Sequence, residues 1–288
     1  MKSLKNFINE SMLYEKHDKN IDNIKEEILS FLSSTYSAPK GNQYSIYKDK
    51  DKWIVDADHS LIVSNYDIQY LTNGLFEFGD INGDFDCGGC EKLESLEGGP
   101  KYVAGSFDCS KCKNLTSLEG APKEVRGAFY CDNCNNLKSL EGAPKEVSGN
   151  FDCSNCKKLE SLEGAPKEVS GNFLCRGCKK LESLKGAPKE VNWGFDCSDC
   201  PNLKSLEGAP EKIGGYFDCG YCEKLESLEG VPEKIAGYFN CSSCNNLTSL
   251  EGAPKKVRGN FYCSSCKNLT SLEGAPKVIK GKIIHDNI

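Results

Sequence analysis

Long apolar runs are missing from this 288-residue chain. The unbroken ones last only a few residues, far short of the roughly 20 that cross a bilayer as a helix. No apolar stretch follows Met1 in the manner of a secretory signal. A basic excess is also missing. The formal charge is −6 and the sequence pI is near 5.4, which disfavours a nucleic-acid-binding domain, since that needs a net basic face to displace counterions from phosphates. Histidine is scarce, and none of His17, His59 and His285 has a Cys or Ser partner at a motif spacing, so each is expected on the surface or in a cap. No phosphate-cradling glycine loop ends in Lys-Ser or Lys-Thr. The run from Asp80 to Asp86 superficially resembles a calcium loop but lacks its spaced Glu. These absences leave no catalytic constellation. They predict a non-enzymatic, cytoplasmic chain that is not secreted and engages neither nucleic acid nor membrane.

Cysteine is plentiful: 18 residues, all in nine Cys-x-x-Cys pairs. Without an export signal a reducing compartment is expected, so the pairs read as thiols or metal ligands rather than disulfides. Their leading members, from Cys87 and Cys109 through Cys153 to Cys263, recur every 22 residues without a slip, and that regularity overrides any domain count drawn from length. One unit from Gly149 reads GNFDCSNCKKLESLEGAPKEVS. Val147, Gly149, Phe151 and Cys153 alternate with Ser148, Asn150 and Asp152, the period-two pattern of one short half-buried strand. Leu159 and Leu162 follow, and Glu163-Gly164-Ala165-Pro166 closes the coil with a conformationally free Gly and a Pro that donates to no ladder. With about five apolar side chains, one coil is stable only when stacked on others, so a right-handed parallel solenoid is expected. Nine coils at about 4.8 Å per strand give a length on the order of 43 Å.

The run V-x-G-x-F-x-C-x-x-C-x-x-L-x-x-L resembles a leucine-rich repeat, especially the cysteine-containing variety, from about Leu61 to the C-terminus. In that resemblance Phe151 and Cys153 stand for the two strand leucines, Cys156 for the Asn or Cys that bonds the turn backbone, and Leu159 for the following apolar position. Gly149 and the Glu-Gly-Ala-Pro turn depart from the family pattern and disfavour a long convex-side helix. The expected fold class is a mainly-β repeat solenoid of parallel coils with little helix behind a small α/β N-terminal cap. Residues 1–19 form a leader, 20–60 a helix and hairpin, 61–82 a cysteine-free capping coil lengthened to 24 residues, 83–278 the nine repeats, and 279–288 a half-coil cap. In that last half-coil His285 and Ile288 occupy the two cysteine positions. Within the cap, Ile21, Ile24, Ile28, Phe31 and Leu32 predict a helix over roughly 20 to 33, capped by Asp18 or Asn20 and ended by Ser37-Ala38-Pro39-Lys40-Gly41. Tyr44 to Tyr47, a charged turn from Lys48 to Lys52, and Trp53-Ile54-Val55 predict a hairpin.

Residues 4 to 10, Leu-Lys-Asn-Phe-Ile-Asn-Glu, are similar to the capsid-targeting leader of internal head proteins in T-even-type tailed phages. That resemblance implies processing after Ile8 and Glu10, between Glu10 and Ser11, and a virion protein packaged through this leader. An amphipathic turn in which Leu4, Phe7, Ile8 and Met12 dock on the body is the alternative. The cysteine pairs also admit two readings. Two thiolates three residues apart clasp half of a tetrahedral zinc site, whereas a first cysteine on the buried strand face behaves as a small hydrophobe. Nine pairs leave one over after four-thiolate sites are made, so structural thiols without a cofactor are favoured.

Binding is expected on the outward strand positions, because packing fixes the inward ones. Their column reads Asp86, Asp108, Tyr130, Asp152, Leu174, Asp196, Asp218, Asn240 and Tyr262, with Tyr216 and Tyr238 in the neighbouring column and Trp193 standing where other coils have Gly. Stacked aspartates are mildly destabilising, so the row points either to a protein partner with a basic surface or to simple repeat duplication with solvated carboxylates.

Overall fold

The computed structural model describes residues 21–37, 44–63 and 66–286. They form a β-solenoid with one short helix at its N-terminal end. Helix α1 (21–35) buries Ile28 and Leu32, while Ile24 and Phe31 pack at its margin, the stripe expected from their three-and-four spacing. The chain does not then turn away at Ser37. Strand β1 (Tyr36–Ser37) pairs antiparallel with β4 (Leu61–Val63) and covers the first edge of one sheet. Tyr36 is buried, and its hydroxyl donates to the Leu71 carbonyl at 2.7 Å. Strands β2 (Tyr44–Asp49) and β3 (Lys52–Ala57) make the expected hairpin, with Lys50 at a φ of 56° in its turn, and cover the edge of a second sheet. At this end one sheet therefore finishes in a two-residue strand and the other in a hairpin strand, in place of a bare repeat coil. Asp18, Asn20 and Ile288 lie outside the described residues.

The capping coil joins both sheets, through β4 and through β5 (Phe76–Ile81), and its 24-residue length appears as the register Leu61 opposite Phe85 of β6 (Phe85–Asp86). From there the coils repeat, and they differ from the sequence reading in one respect. Val147 and Phe151 do not share a strand. Each coil has two two-residue strands, Glu146–Val147 and Phe151–Asp152 in the unit above, in different sheets and separated by a bend at 148–150. The cause is the approach of successive bends: a Cβ on Gly149 would meet the Gly127 carbonyl carbon at 2.6 Å, and the Gly149 amide donates to the Gly127 carbonyl at 2.8 Å. Glycine leaves room for the backbones to come so close at this corner; Trp193, in the same position of its coil, makes the equivalent bond to the Gly171 carbonyl at a longer 3.3 Å. Val147 and Phe151 nevertheless both point inward, which is why the alternating pattern looked continuous.

The Phe151-type strands stack in parallel, equal register behind β1 and β4 and complete a twelve-stranded sheet that runs the length of the described solenoid. The Glu146-type strands form a nine-stranded sheet ending at Lys212–Ile213, and a separate three-stranded sheet beginning at Lys234–Ile235. Val231 stands at this break, where neighbouring coils place Ala209 and Ala253 against the core. Inside, nine rings from Phe85 to Phe261 form one ladder whose neighbours are 5.2–5.5 Å apart with planes within 22°. Burying each ring contributes on the order of 1.5–3 kcal/mol. Since every ring contacts only adjacent coils, stability is a sum of neighbour interfaces.

Candidate interaction surfaces

The outward side chains of the long sheet form one wall. Asp86, Asp108, Tyr130, Asp152, Leu174, Asp196, Asp218, Asn240 and Tyr262 occupy successive rungs, paired in register and half-buried against their neighbours. The structure gives the aspartates a local task that the sequence pattern did not disclose. Asp152 Oδ1 accepts the Ser154 amide at 2.9 Å, Asp108 that of Ser110 at 2.7 Å, and Asp218 that of Gly220 at 2.9 Å. Asp86 and Asp196 do the same, as does Asn240 toward Ser242. Each closes an Asx turn that starts the Cys-x-x-Cys corner. The second oxygen faces the wall, and that of Asp218 accepts from Tyr238 and Asn240 there. Burial raises the carboxyls of Asp86, Asp152 and Asp218 above their usual range, because the charged form has lost part of its hydration.

Toward the C-terminal coils the wall turns aromatic. Tyr216 and Tyr238 stack with centroids 4.8 Å apart, and Tyr262 meets Tyr238 edge-on at 5.9 Å. Gly194 makes this possible: a Cβ there would come within 2.1 Å of the Tyr216 ring. Tyr238 hydroxyl donates to Asp218 Oδ2 at 3.4 Å, and Asn240 Nδ2 donates to Asp218 Oδ1 at 3.0 Å. Burial raises the Tyr216 hydroxyl pKa, with Asp196 and Asp218 adding to it. The two aspartates, the two stacked rings and Asn240 form a compact acidic and aromatic patch. Trp193 lies elsewhere, on the bend of its coil, with its side chain 67% exposed.

All 18 cysteines are buried and free. From the second pair onward the second cysteine reaches back one coil: Cys112 Sγ donates to the Cys87 carbonyl at 3.3 Å, Cys156 to Cys131 at 3.2 Å, and Cys244 to Cys219 at 3.2 Å, and Cys134, Cys178, Cys200, Cys222 and Cys266 repeat the contact. Several first cysteines reach forward instead, Cys219 to the Asn240 carbonyl at 3.2 Å among them. The thiols therefore sew consecutive coils together. Burial pushes the thiols of Cys131, Cys153, Cys156 and Cys175 well up, and those of Cys90 and Cys178 to about 12. They stand as protonated donors at neutral pH, the opposite of an activated nucleophile. Among the described residues, no group of three or more His, Cys, Asp or Glu is arranged to hold a metal ion, and no helix is long and apolar enough to cross a membrane.

His59 packs edge-on against Tyr44 at 5.2 Å, and burial lowers its pKa. His285 is exposed beside the last strand. His17, and Ile8, Glu10 and Ser11 of the processing site expected from the leader resemblance, lie outside the described residues.

No protein-family model matches the chain, and no curated protein does. Among solved structures, a leucine-rich repeat protein from Bacteroides ovatus ATCC 8483 is similar at 14% identity, over 84% of this chain and 98% of that one, with a TM-score of 0.24. What decides the architecture is the chain's own 22-residue coil, which gives the continuous sheet one parallel strand per coil, with a thiol bonding the coil before it. It is a parallel β-solenoid of stacked coils. Such a scaffold presents side chains in rows, and a row is suited to contact with an extended or broad surface.

Proposed function

We propose that this solenoid is a non-enzymatic protein-interaction module of a reducing compartment, and that the outward wall of its long sheet docks a partner with a basic surface. The observation that carries this reading is the patch of Asp196, Tyr216, Asp218, Tyr238, Asn240 and Tyr262. It combines partly desolvated carboxylates with stacked, half-buried tyrosines. A lysine or arginine entering there would meet a carboxylate oxygen and aromatic ring faces together, and tyrosine is favoured as an interface anchor. Asp86, Asp108, Tyr130, Asp152 and Leu174 extend the wall toward the N-terminal coils. The free, protonated thiols support a structural role for the cysteine pairs.

The test is affinity capture with wild-type chain and with a variant carrying Asp152→Asn, Asp196→Asn and Asp218→Asn. Asn240 already closes its own turn with an amide oxygen at 3.0 Å, so these changes remove charge while keeping the fold. Proteins captured by the wild type and lost by the triple variant, in a salt-sensitive manner, support the wall. Capture that is unchanged in the variant removes it.

A further inference from the structure

The second face of the solenoid carries a charge pattern that the proposed partner wall does not use. Its outward strand position reads Glu124, Glu146, Glu168 and Glu190, then Lys212, Lys234 and Lys256. The preceding column reads Lys123, Lys145, Lys167 and Lys189, then Glu211 and Glu233. Both columns change sign between the same two coils. At that boundary the chain satisfies itself: Lys212 ion-pairs with Glu190, and Lys189 lies 3.9 Å from Glu211. Away from it, Glu233 of the preceding column pairs with Lys255 one coil on, but in the outward strand column like charge stacks on like. Glu146 is in register with Glu124 and Glu168, and Lys234 with Lys256. Such ladders are unfavourable within one chain.

We infer that this face is the contact between two copies of the chain, packed with their solenoid axes antiparallel about a two-fold axis that lies between the coils of Glu190 and Lys212. A two-fold at the sign change sets Glu168 against Lys234 of the second copy, Glu146 against Lys256, and Lys167 against Glu233, each contact occurring twice. The match ends where Lys145 would meet Lys255, so it spans the central coils. The same operation brings Trp193 opposite the bend Gly214-Gly215. Among the nine coils this is the one in which both bend positions are glycine, a gap in side chains facing the most exposed large hydrophobic side chain of the described residues. An exposed Trp near the centre of an isologous interface is the residue type that anchors such contacts. This dimer face is separate from the acidic wall, and either can fail without the other.

The test is sedimentation equilibrium of the full chain at low salt and at about 1 M salt, where charges are screened beyond about 3 Å. The expected result is a monomer–dimer equilibrium at low salt that shifts to monomer at high salt. Glu168→Lys and Lys234→Glu should each weaken dimerisation by about tenfold or more, and the double variant should restore it, since the swapped charges again oppose. Inside one chain Glu168→Lys breaks up a same-sign ladder, so unfolding is not its expected consequence, and a thermal melt checks this. The difference in emission between wild type and Trp193→Phe should move to the blue as dimer forms. A chain that stays monomeric at every concentration overturns the inference. So does a dimer indifferent to either single variant, or one that the double variant does not restore.

Discussion

Cys156 donates its thiol to the carbonyl of Cys131, one coil back, at 3.2 Å. The contact explains why a 22-residue coil keeps a second cysteine so regularly. The carbonyl points into an apolar interior, where an unsatisfied acceptor costs about 1–3 kcal/mol, and a thiol is the smallest weakly polar group that fills the space and still offers a hydrogen.

Chemical reactivity follows from that burial. Native protein should leave its 18 thiols unreacted with a thiol-specific disulfide reagent at neutral pH, and all of them should titrate after denaturation. The same thiols make the fold sensitive to alkali. An unfolded thiol ionises near 9, whereas folded Cys90, Cys178 and Cys263 hold their protons to about 12. Over that interval the unfolded chain binds fewer protons than the fold, so stability is whole below pH 9 and falls as pH rises toward 12. Denaturant melts at pH 8, 10 and 11 check the direction; a midpoint independent of pH contradicts it.

The repeat, its inward residues and the helix–hairpin cap were legible in the sequence because each is a local periodicity. Phe151, Cys153, Leu159 and Leu162 lie in the core, and Ile28 and Leu32 are buried on one helix face. The division of each coil into two sheets was not legible. It depends on Gly149 meeting Gly127 of the coil beneath, a contact between copies that no single coil's alternation encodes. The task of Asp152 was hidden for a related reason: its position on the wall is a matter of spacing, but its bond to the Ser154 amide exists only once the corner is bent. Tyr36 closing the sheet edge was missed because a two-residue strand carries no period.

The turn aspartates separate structure from charge. Asp152→Ala should cost about 1 kcal/mol through the lost bond to Ser154, whereas Asp152→Asn should stay within a few tenths, since an amide oxygen replaces a carboxylate oxygen. Equal losses in a urea titration would show that charge, not the Asx turn, is what the position supplies.

Glycine substitutions should discriminate between strain and collision. Gly74 has a φ of +82° with nothing within 4 Å of an added Cβ, so Gly74→Ala bears only the left-handed backbone penalty of about 1–2 kcal/mol. Gly164 has a φ of +93°, and an added Cβ would sit 2.4 Å from the backbone of Leu140 and Glu141. Gly164→Ala should therefore lower the melting temperature several-fold more than Gly74→Ala, because two stacked coils must part. Similar shifts for the two would mean that the coils separate more easily than their spacing implies.

Tyr221 offers a gain in stability rather than a loss. The third residue of each Cys-x-x-Cys corner adopts left-handed backbone, with φ 58° at Asn133 and Asn155, 70° at Gly177 and 61° at Tyr221. Asparagine and glycine tolerate that conformation, whereas a bulky aromatic is strained by it. The Tyr221 side chain is 59% exposed, so little packing is lost when it is removed. Tyr221→Asn should stabilise the chain by about 0.5–1 kcal/mol, seen as a higher denaturation midpoint with an unchanged slope. A lower midpoint would show that the ring makes a contact whose value exceeds the strain it carries.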